Sequence, residues 1–310
     1  MKGKNGKRIK GFKGIISFKT VSNYNLFFII FFLFIILGCR LAAEKQEPEI
    51  KPTPPTIQDI PPHSYMEEEI ILAIEETKKY RFRAENEAWV NENVNKDFLL
   101  GRVDRINNPL FVKVTEEHTE RNIYLIHPVY EAYKKMYNAA LADNVKLIIT
   151  SGHRTFFEQI CEWELRWNDP RTNTPFPNDV EKARFLLQYR SMPGTTRHHW
   201  GTDIDLNSFE SAYYQTPTGK KVYKWLKENA ATYGFYQPYT EVDENRPVGY
   251  QEEKWHWSYK PLAQPMLIKY LELVSINDIF GFKGDKAAKV LPIISEWVCG
   301  INPQFNNEND

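Results

Sequence analysis

Two short stretches, His198-His-Trp-Gly-Thr-Asp-Ile-Asp205 and Glu253-Lys-Trp-His256, bring imidazoles and carboxylates together in the pattern a metal would use. Two imidazoles, a carboxylate and a spare glutamate are the inventory of a hydrolytic zinc site. Zinc in such a site takes three nitrogen or oxygen ligands from protein and leaves its fourth position to water, whose pKa falls toward about 7. A further acidic residue must then move protons.

The residues offer more candidates than such a site needs. Thr202 to Leu206 alternates like a strand, which points Asp203 and Asp205 to one face and sends Ile204 and Leu206 toward a core. In extended chain His199 would point away from His198, which suits a supporting role unless the loop twists. Glu253 lies three residues before His256, so a straight strand would put them on opposite faces and a turn or bulge must intervene. Glu252 shares the strand face of His256 and competes with Glu253 for the role of proton carrier. Nucleophile schemes have less support, because Ser151 lacks a matched base and Cys161 falls in a helix expected to pack.

The elements that must position these groups follow from periodicity. Glu67 to Tyr80 reads as an amphipathic helix that continues brokenly toward Val94. Pro128 suits the first turn of a helix ended by Asp143-Asn144. Val145 to Thr150 then reads as a buried strand, with a turn at Ser151-Gly152. Thr155 to Trp167 and Val180 to Tyr189 read as helices, with a loop from Met192 to Gly201. A helix from Gly219 to Tyr233 should stop at Gly234, a strand is expected around Trp255, and Pro261 to Val274 reads as a helix. Strands spread unevenly among helices indicate an α+β fold with a small, mainly antiparallel sheet flanked by helices and an N-terminal helical extension.

The first 39 residues hold seven basic side chains and no acidic one, so of 40 basic residues 33 remain to face 40 acidic ones in the rest of the chain. That balance gives no reason to expect a nucleic-acid partner. Leu26 to Leu37 is an apolar run too short for a comfortable membrane span, which needs about 20 residues, and of the length of a signal-peptide core. Ile36-Leu-Gly-Cys39 resembles the bacterial lipoprotein box, which implies acylation of Cys39 and a lipid bilayer as partner. Six prolines between Pro48 and Pro62 then read as a semi-rigid tether. These features place the remainder outside the cytoplasm, lipid-anchored to a bacterial membrane. For Cys161 and Cys299 such a compartment leaves a disulfide and two free thiols both open.

Ser151-Gly-His-Arg154, Pro193-Gly-Thr-Thr196-Arg-His198, Gly201-Thr-Asp-Ile-Asp205 and Glu253-Lys-Trp-His-Trp257 resemble, in the right order, the motifs of VanY-type D-alanyl-D-alanine carboxypeptidases. These belong to a wider group of zinc peptidases that includes lysostaphin and the hedgehog signalling domain. The resemblance spans about Tyr124 to Tyr270 and implies a fold of hedgehog/D-Ala-D-Ala peptidase type. It also implies Zn²⁺ held by His198, Asp205 and His256, with Glu253 carrying protons. Arg154 would polarise the scissile carbonyl or hold a peptide carboxylate. Gln159 and Thr196, a threonine where the family usually has serine, would contact substrate, and Trp255 and Trp257 would wall the cleft. Asp203 departs from the family, which usually has alanine there; orienting a histidine ligand is the favoured role, with binding zinc itself and facing solvent as the alternatives.

The function so implied is a zinc-dependent carboxypeptidase that cleaves the terminal D-alanine of peptidoglycan stem peptides. A wall-peptide endopeptidase, an L,D-carboxypeptidase and a non-catalytic zinc-stabilised binding module are the alternatives. The expected organisation is a signal peptide at 1–38, a tether at 39–63, a helical extension at 64–100, the peptidase domain at 101–284 and a C-terminal tail at 285–310.

Overall fold

The computed structural model describes residues 67–169 and 176–305; the expected signal peptide, Cys39 and the proline-rich tether lie outside them. Among the described residues no helix is long and apolar enough to cross a membrane. The fold is α+β, and every strand pairing among the described residues is antiparallel.

Helix α1 (Glu67–Asn93) is unbroken where a broken one was expected, and Asn95 caps the short helix α2 (Lys96–Leu99) by accepting from the Phe98 amide. Strands β1 (Phe111–Lys113) and β2 (Tyr124–Ile126) form a two-stranded sheet. Pro128 sits at the start of α3 (His127–Ala142), where a missing N–H costs nothing. The strand expected from Val145 shortens to β3 (Ile149–Ser151), because the residues before it have no ladder partner. Helix α4 (Phe156–Trp167) starts at a capping box in which the Thr155 hydroxyl accepts from the Glu158 amide and Glu158 accepts from the Thr155 amide, a device worth about 1 kcal/mol. Helix α5 (Asp179–Leu187), strand β4 (Asp203–Leu206) and helix α6 (Pro217–Asn229) follow. A 3-10 turn carries α6 on to Gly234, which ends it in the left-handed conformation at φ +81°. Strands β5 (Phe235–Tyr236) and β6 (His256–Tyr259) lead to α7 (Lys260–Leu273).

The second sheet has the order β3-β4-β6-β5. Its register fixes the chemistry: Asp205 stands opposite Ser151 on one side and His256 on the other, while Asp203 stands opposite Ser258. Ile204 and Leu206 enter the core as alternation requires. The same core takes in Val90 and Val94 of α1, and Lys269 of α7 donates to the carbonyls of Val90 and Asn91 at the C-terminal end of α1. Residues expected to begin a tail also reach it: Leu291, Ile293, Val298, Ile301 and Phe305 are buried. Apolar side chains at that spacing gain more from the core than from water.

Cys161 is exposed on α4 and Cys299 is half-buried, and both thiols are free. The packed position expected for Cys161 is a correction: Gln159, Trp163 and Trp167 form the buried side of that helix.

Candidate active site

The loop after Met192 does not run extended into β4. Thr196 caps a 3-10 turn, Arg197–Trp200, by accepting from the His198 amide at 3.3 Å, and Gly201 ends the turn at φ +70°. A Cβ there would also crowd Phe111 at 3.0 Å and Ile126 at 3.1 Å, so both the backbone conformation and the tight packing favour glycine. The turn sends His198 and His199 in different directions. His199 accepts from the Gly194 amide through Nε2 at 2.9 Å, and its Nδ1 donates to the Arg154 carbonyl at 2.7 Å. Both ring nitrogens are thereby used, and the residue ties the loop to the start of α4. Burial pushes its pKa down to about 3, so the ring is neutral.

His198, Asp205 and His256 converge, with one potential ligand atom from each lying within 4.8 Å of the others. The hydrogen bonds made by the other ring nitrogens set which atoms these are. His198 Nδ1 lies 2.8 Å from the Gly152 carbonyl, which can only accept, so Nδ1 carries the proton. Burial, with Arg154 nearby, lowers the pKa of this ring and leaves Nε2 as a lone pair. That nitrogen is buried without a hydrogen bond, 3.2 Å from Asp205 Oδ2, and Asp205 Oδ1 is likewise unpartnered. Two acceptors held face to face in a buried site are what a cation would relieve.

His256 is turned the other way. Its Nε2 lies 2.8 Å from Asp203 Oδ2, and its Nδ1 faces Glu253 Oε2 at 3.0 Å and Asp205 Oδ1 at 3.6 Å. Burial alone would lower this pKa, but the bonds to Asp203 and Glu253 outweigh it and push it up to about 10. The carboxylates that favour a proton on Nδ1 would favour a divalent cation in its place. A nitrogen from each ring and a carboxylate oxygen suit zinc by type and number.

Behind the cluster, Asp203 is fully engaged. Besides His256 it accepts from Arg197 Nε at 3.0 Å, from the Thr202 hydroxyl at 2.7 Å and from the Ser258 hydroxyl at 2.7 Å. Burial would raise its pKa, and Arg197 and His256 instead hold it well below the usual carboxylate range. Arg197 is itself wholly buried, with its guanidinium over the rings of Trp200 and Phe305. Asp203 therefore orients His256 and neutralises Arg197.

The cleft in front is lined by Arg154, Thr196, Glu253 and Trp255 among others. The intervening turn needed to bring Glu253 beside His256 is present: the His256 amide donates to the Glu253 carbonyl at 3.2 Å. Trp255 lies in that turn and not in a strand. Trp257 is buried in the core, with its indole N–H bonded to the Lys254 carbonyl, so it does not wall the cleft. Glu252 accepts from the Tyr223 hydroxyl at 2.9 Å and pairs with Lys254 at 3.3 Å, which takes it out of the competition.

Arg154 is braced from several sides. Its Nε donates to Ser151 Oγ at 3.2 Å, Nη1 to Gln159 Oε1 at 3.2 Å and Nη2 to Asp205 Oδ2 at 3.3 Å. Arg105 steadies the adjoining backbone by donating to the His153 carbonyl and, in a two-pronged pair, to Glu158. Gln159 corrects the expectation of a substrate contact. It is wholly buried, one amide end taken by Arg154 and the other by the Ser191 carbonyl at 2.8 Å, so it positions Arg154.

Residues 122–262 match the family model described as VanY, D-alanyl-D-alanine carboxypeptidase. This segment is similar to the VanY family. Among curated relatives, a D-alanyl-D-alanine carboxypeptidase of Enterococcus faecalis is 30% identical over 126 residues, which is 40% of this chain and 44% of that one. Another of the same description, from Enterococcus faecium, is 28% identical over 172 residues, 55% of this chain and 49% of that one. The chain thus spans about half the length of the curated relatives it matches. Among solved structures, a mutant of the vancomycin-resistance D,D-pentapeptidase VanY in complex with Zn(II) is 23% identical, covering 53% of this chain and 85% of that one at a TM-score of 0.40.

Sequence reasoning missed several residues that line this site. Tyr239 packs edge-on against His256 with ring centroids 4.9 Å apart, and Arg190, Ser191 and Tyr250 line the cleft. Only Pro193 and Gly194 marked the segment after Arg190 and Ser191 as a loop, and nothing in the local pattern pointed any of these side chains inward.

Proposed function

We propose that this chain is a zinc-dependent carboxypeptidase that removes the terminal D-alanine of peptidoglycan stem peptides. One observation carries the reading: buried, unpartnered His198 Nε2 and Asp205 Oδ1 converge with His256 Nδ1, and Glu253 stands beside them at the edge of a cleft. The VanY match and the names of the two enterococcal relatives supply the substrate class.

When bound, zinc would supply Lewis acidity and make water a nucleophile near neutral pH. The chain's own groups do the rest. Glu253 accepts the proton of the attacking water and hands it to the departing amine, so that one water and one peptide bond become a carboxylate and an amine. Arg154, fixed by Ser151, Gln159 and Asp205, presents its guanidinium where negative charge develops on the carbonyl oxygen. Asp203 keeps the proton on His256 Nε2 and so keeps Nδ1 aimed at the cluster.

For location, the lipoprotein box at Cys39 and the proline-rich segment after it support a domain held outside the cytoplasm on a short tether. Cys39→Ser should move the protein out of the membrane fraction; unchanged membrane retention would reject the anchor.

The enzymatic test is mass spectrometry of a purified muropeptide pentapeptide incubated with the full chain. Release of one alanine, abolished by a chelator and restored by zinc, is expected. No release, or release that chelator leaves untouched, overturns the proposal. Glu253→Gln should retain zinc and lose most turnover, on the order of 10²-fold or more.

A further inference from the structure

Two guanidinium groups line the cleft, and only one of them has its donors committed. Arg154 spends a donor from each of its three nitrogens on Ser151, Gln159 and Asp205, which holds it at the metal cluster. Arg190 follows the end of α5 and faces the same cleft. Its Nε is buried with no hydrogen-bond partner, 3.8 Å from Glu162 Oε2, and its Nη1 reaches the Tyr189 carbonyl at 3.4 Å. A guanidinium carries five N–H donors in a rigid fork, so most of this fork is unspent.

A peptide that is to lose its last residue brings a second requirement. With its scissile carbonyl at the cluster, its terminal carboxylate lies one residue further on, about 3.8 Å along the chain. The carbonyl claims Arg154. The carboxylate needs another cation with free, forked donors, and outside the metal cluster the remaining cation among the residues lining the cleft is Arg190.

We propose that Arg190 anchors the terminal carboxylate of the substrate and makes this cleft select a free C-terminus over a continuing chain. The assignment rests on the carboxypeptidase reading and adds the residue that enforces it. The competing role is a brace: Arg190 would only tie the segment after α5 to Glu162 of α4. At 3.8 Å, with side chains 33% and 47% exposed, that pair is a weak one.

Binding separates the two roles. The zinc-loaded full chain carrying Glu253→Gln is titrated calorimetrically with an N-acetylated peptide ending in D-Ala-D-Ala, as the free acid and as the C-terminal amide. The acid should bind about tenfold or more tightly than the amide, the effect of a charge-assisted fork. Adding Arg190→Gln should erase that preference by weakening the acid alone, and Arg190→Lys should restore part of it. Glu162→Gln, which removes the brace and keeps the cation, should leave the preference intact. A preference that survives Arg190→Gln, equal weakening of acid and amide, or no preference at all would overturn the assignment. Were the wild-type chain to release no alanine while the acid preference still depended on Arg190, the anchor would stand and the proposed reaction would fall.

Discussion

Asp203 and Asp205 are the same residue type, two positions apart on one face of β4, yet they sit in opposite surroundings. Asp203 opposes Ser258, and its two oxygens accept from Thr202, Ser258, Arg197 and His256. Asp205 opposes His256 and Ser151, and it keeps Oδ1 buried and unpartnered. Burial would raise both pKa values, and in both the neighbouring cations win: chiefly Arg197 for Asp203, and His198, His256 and Arg154 for Asp205. The difference lies in where the cation comes from. Behind the site it is built into the chain as Arg197; in front, a lone pair and an orphaned oxygen leave it to be supplied from solution.

The sharpest way to break this contrast is to remove each carboxylate in turn. Asp205→Ala takes away a proposed ligand, and we expect zinc retained through dialysis to vanish and hydrolysis to fall by roughly 10³-fold or more, since catalysis by the metal goes with it. Asp203→Ala should instead weaken zinc by about 10- to 100-fold, the usual cost of losing an orienting partner. Metal lost from the Asp203 variant and kept by the Asp205 variant would exchange their roles.

Stability separates them further. With Asp203 gone, Arg197 stays wholly buried with no countercharge, a defect of about 3–5 kcal/mol, read as a shift in the denaturant midpoint of the metal-free protein. Replacing both residues, as Arg197→Met with Asp203→Ala, should return most of that loss. If the double variant is no more stable than Asp203→Ala alone, Arg197 is not the charge that Asp203 neutralises.

The front of the site was legible in the sequence and the back was not, for physical reasons. Strand alternation already put Asp203 and Asp205 on one face, and the three-residue step from Glu253 to His256 required the turn that is found. Thr155 with Glu158 and the stop at Gly234 are local chemistry, readable within four residues. Arg197 is different: a charged residue in a loop reads as solvated, and its burial depends on Phe305, more than a hundred residues away, closing over it. The pairing of β1 with β2 was hidden for another reason: each strand is three residues long, too short to display an alternating period. Gln159 was assigned to substrate because its position matched a motif, whereas its surroundings give both amide ends to protein.

His199 gives the smallest effect and tests the same back layer by pH. Its folded pKa of about 3 lies below the ordinary 6.5, mainly because burial disfavours the charged ring. Between those values the unfolded chain binds a proton that the folded chain refuses, so stability is full above 6.5 and declines as pH falls toward 3, by about 1.4 kcal/mol per unit. His153, pushed well below 6.5 by burial, adds a slope of the same sign. His256, raised to about 10, stays protonated when folded and opposes this slope only near pH 6.5, where the unfolded ring is still taking up its proton. Denaturant unfolding of chelator-treated protein from pH 6.5 to 4.5, above most carboxylate titrations, should therefore show stability falling with acid, and His199→Gln should remove one proton's share of the slope. An unchanged slope would mean that His199 takes up its proton while folded. Its bonds to Gly194 and Arg154 could not then be the fixed tie that holds the ligand loop against α4.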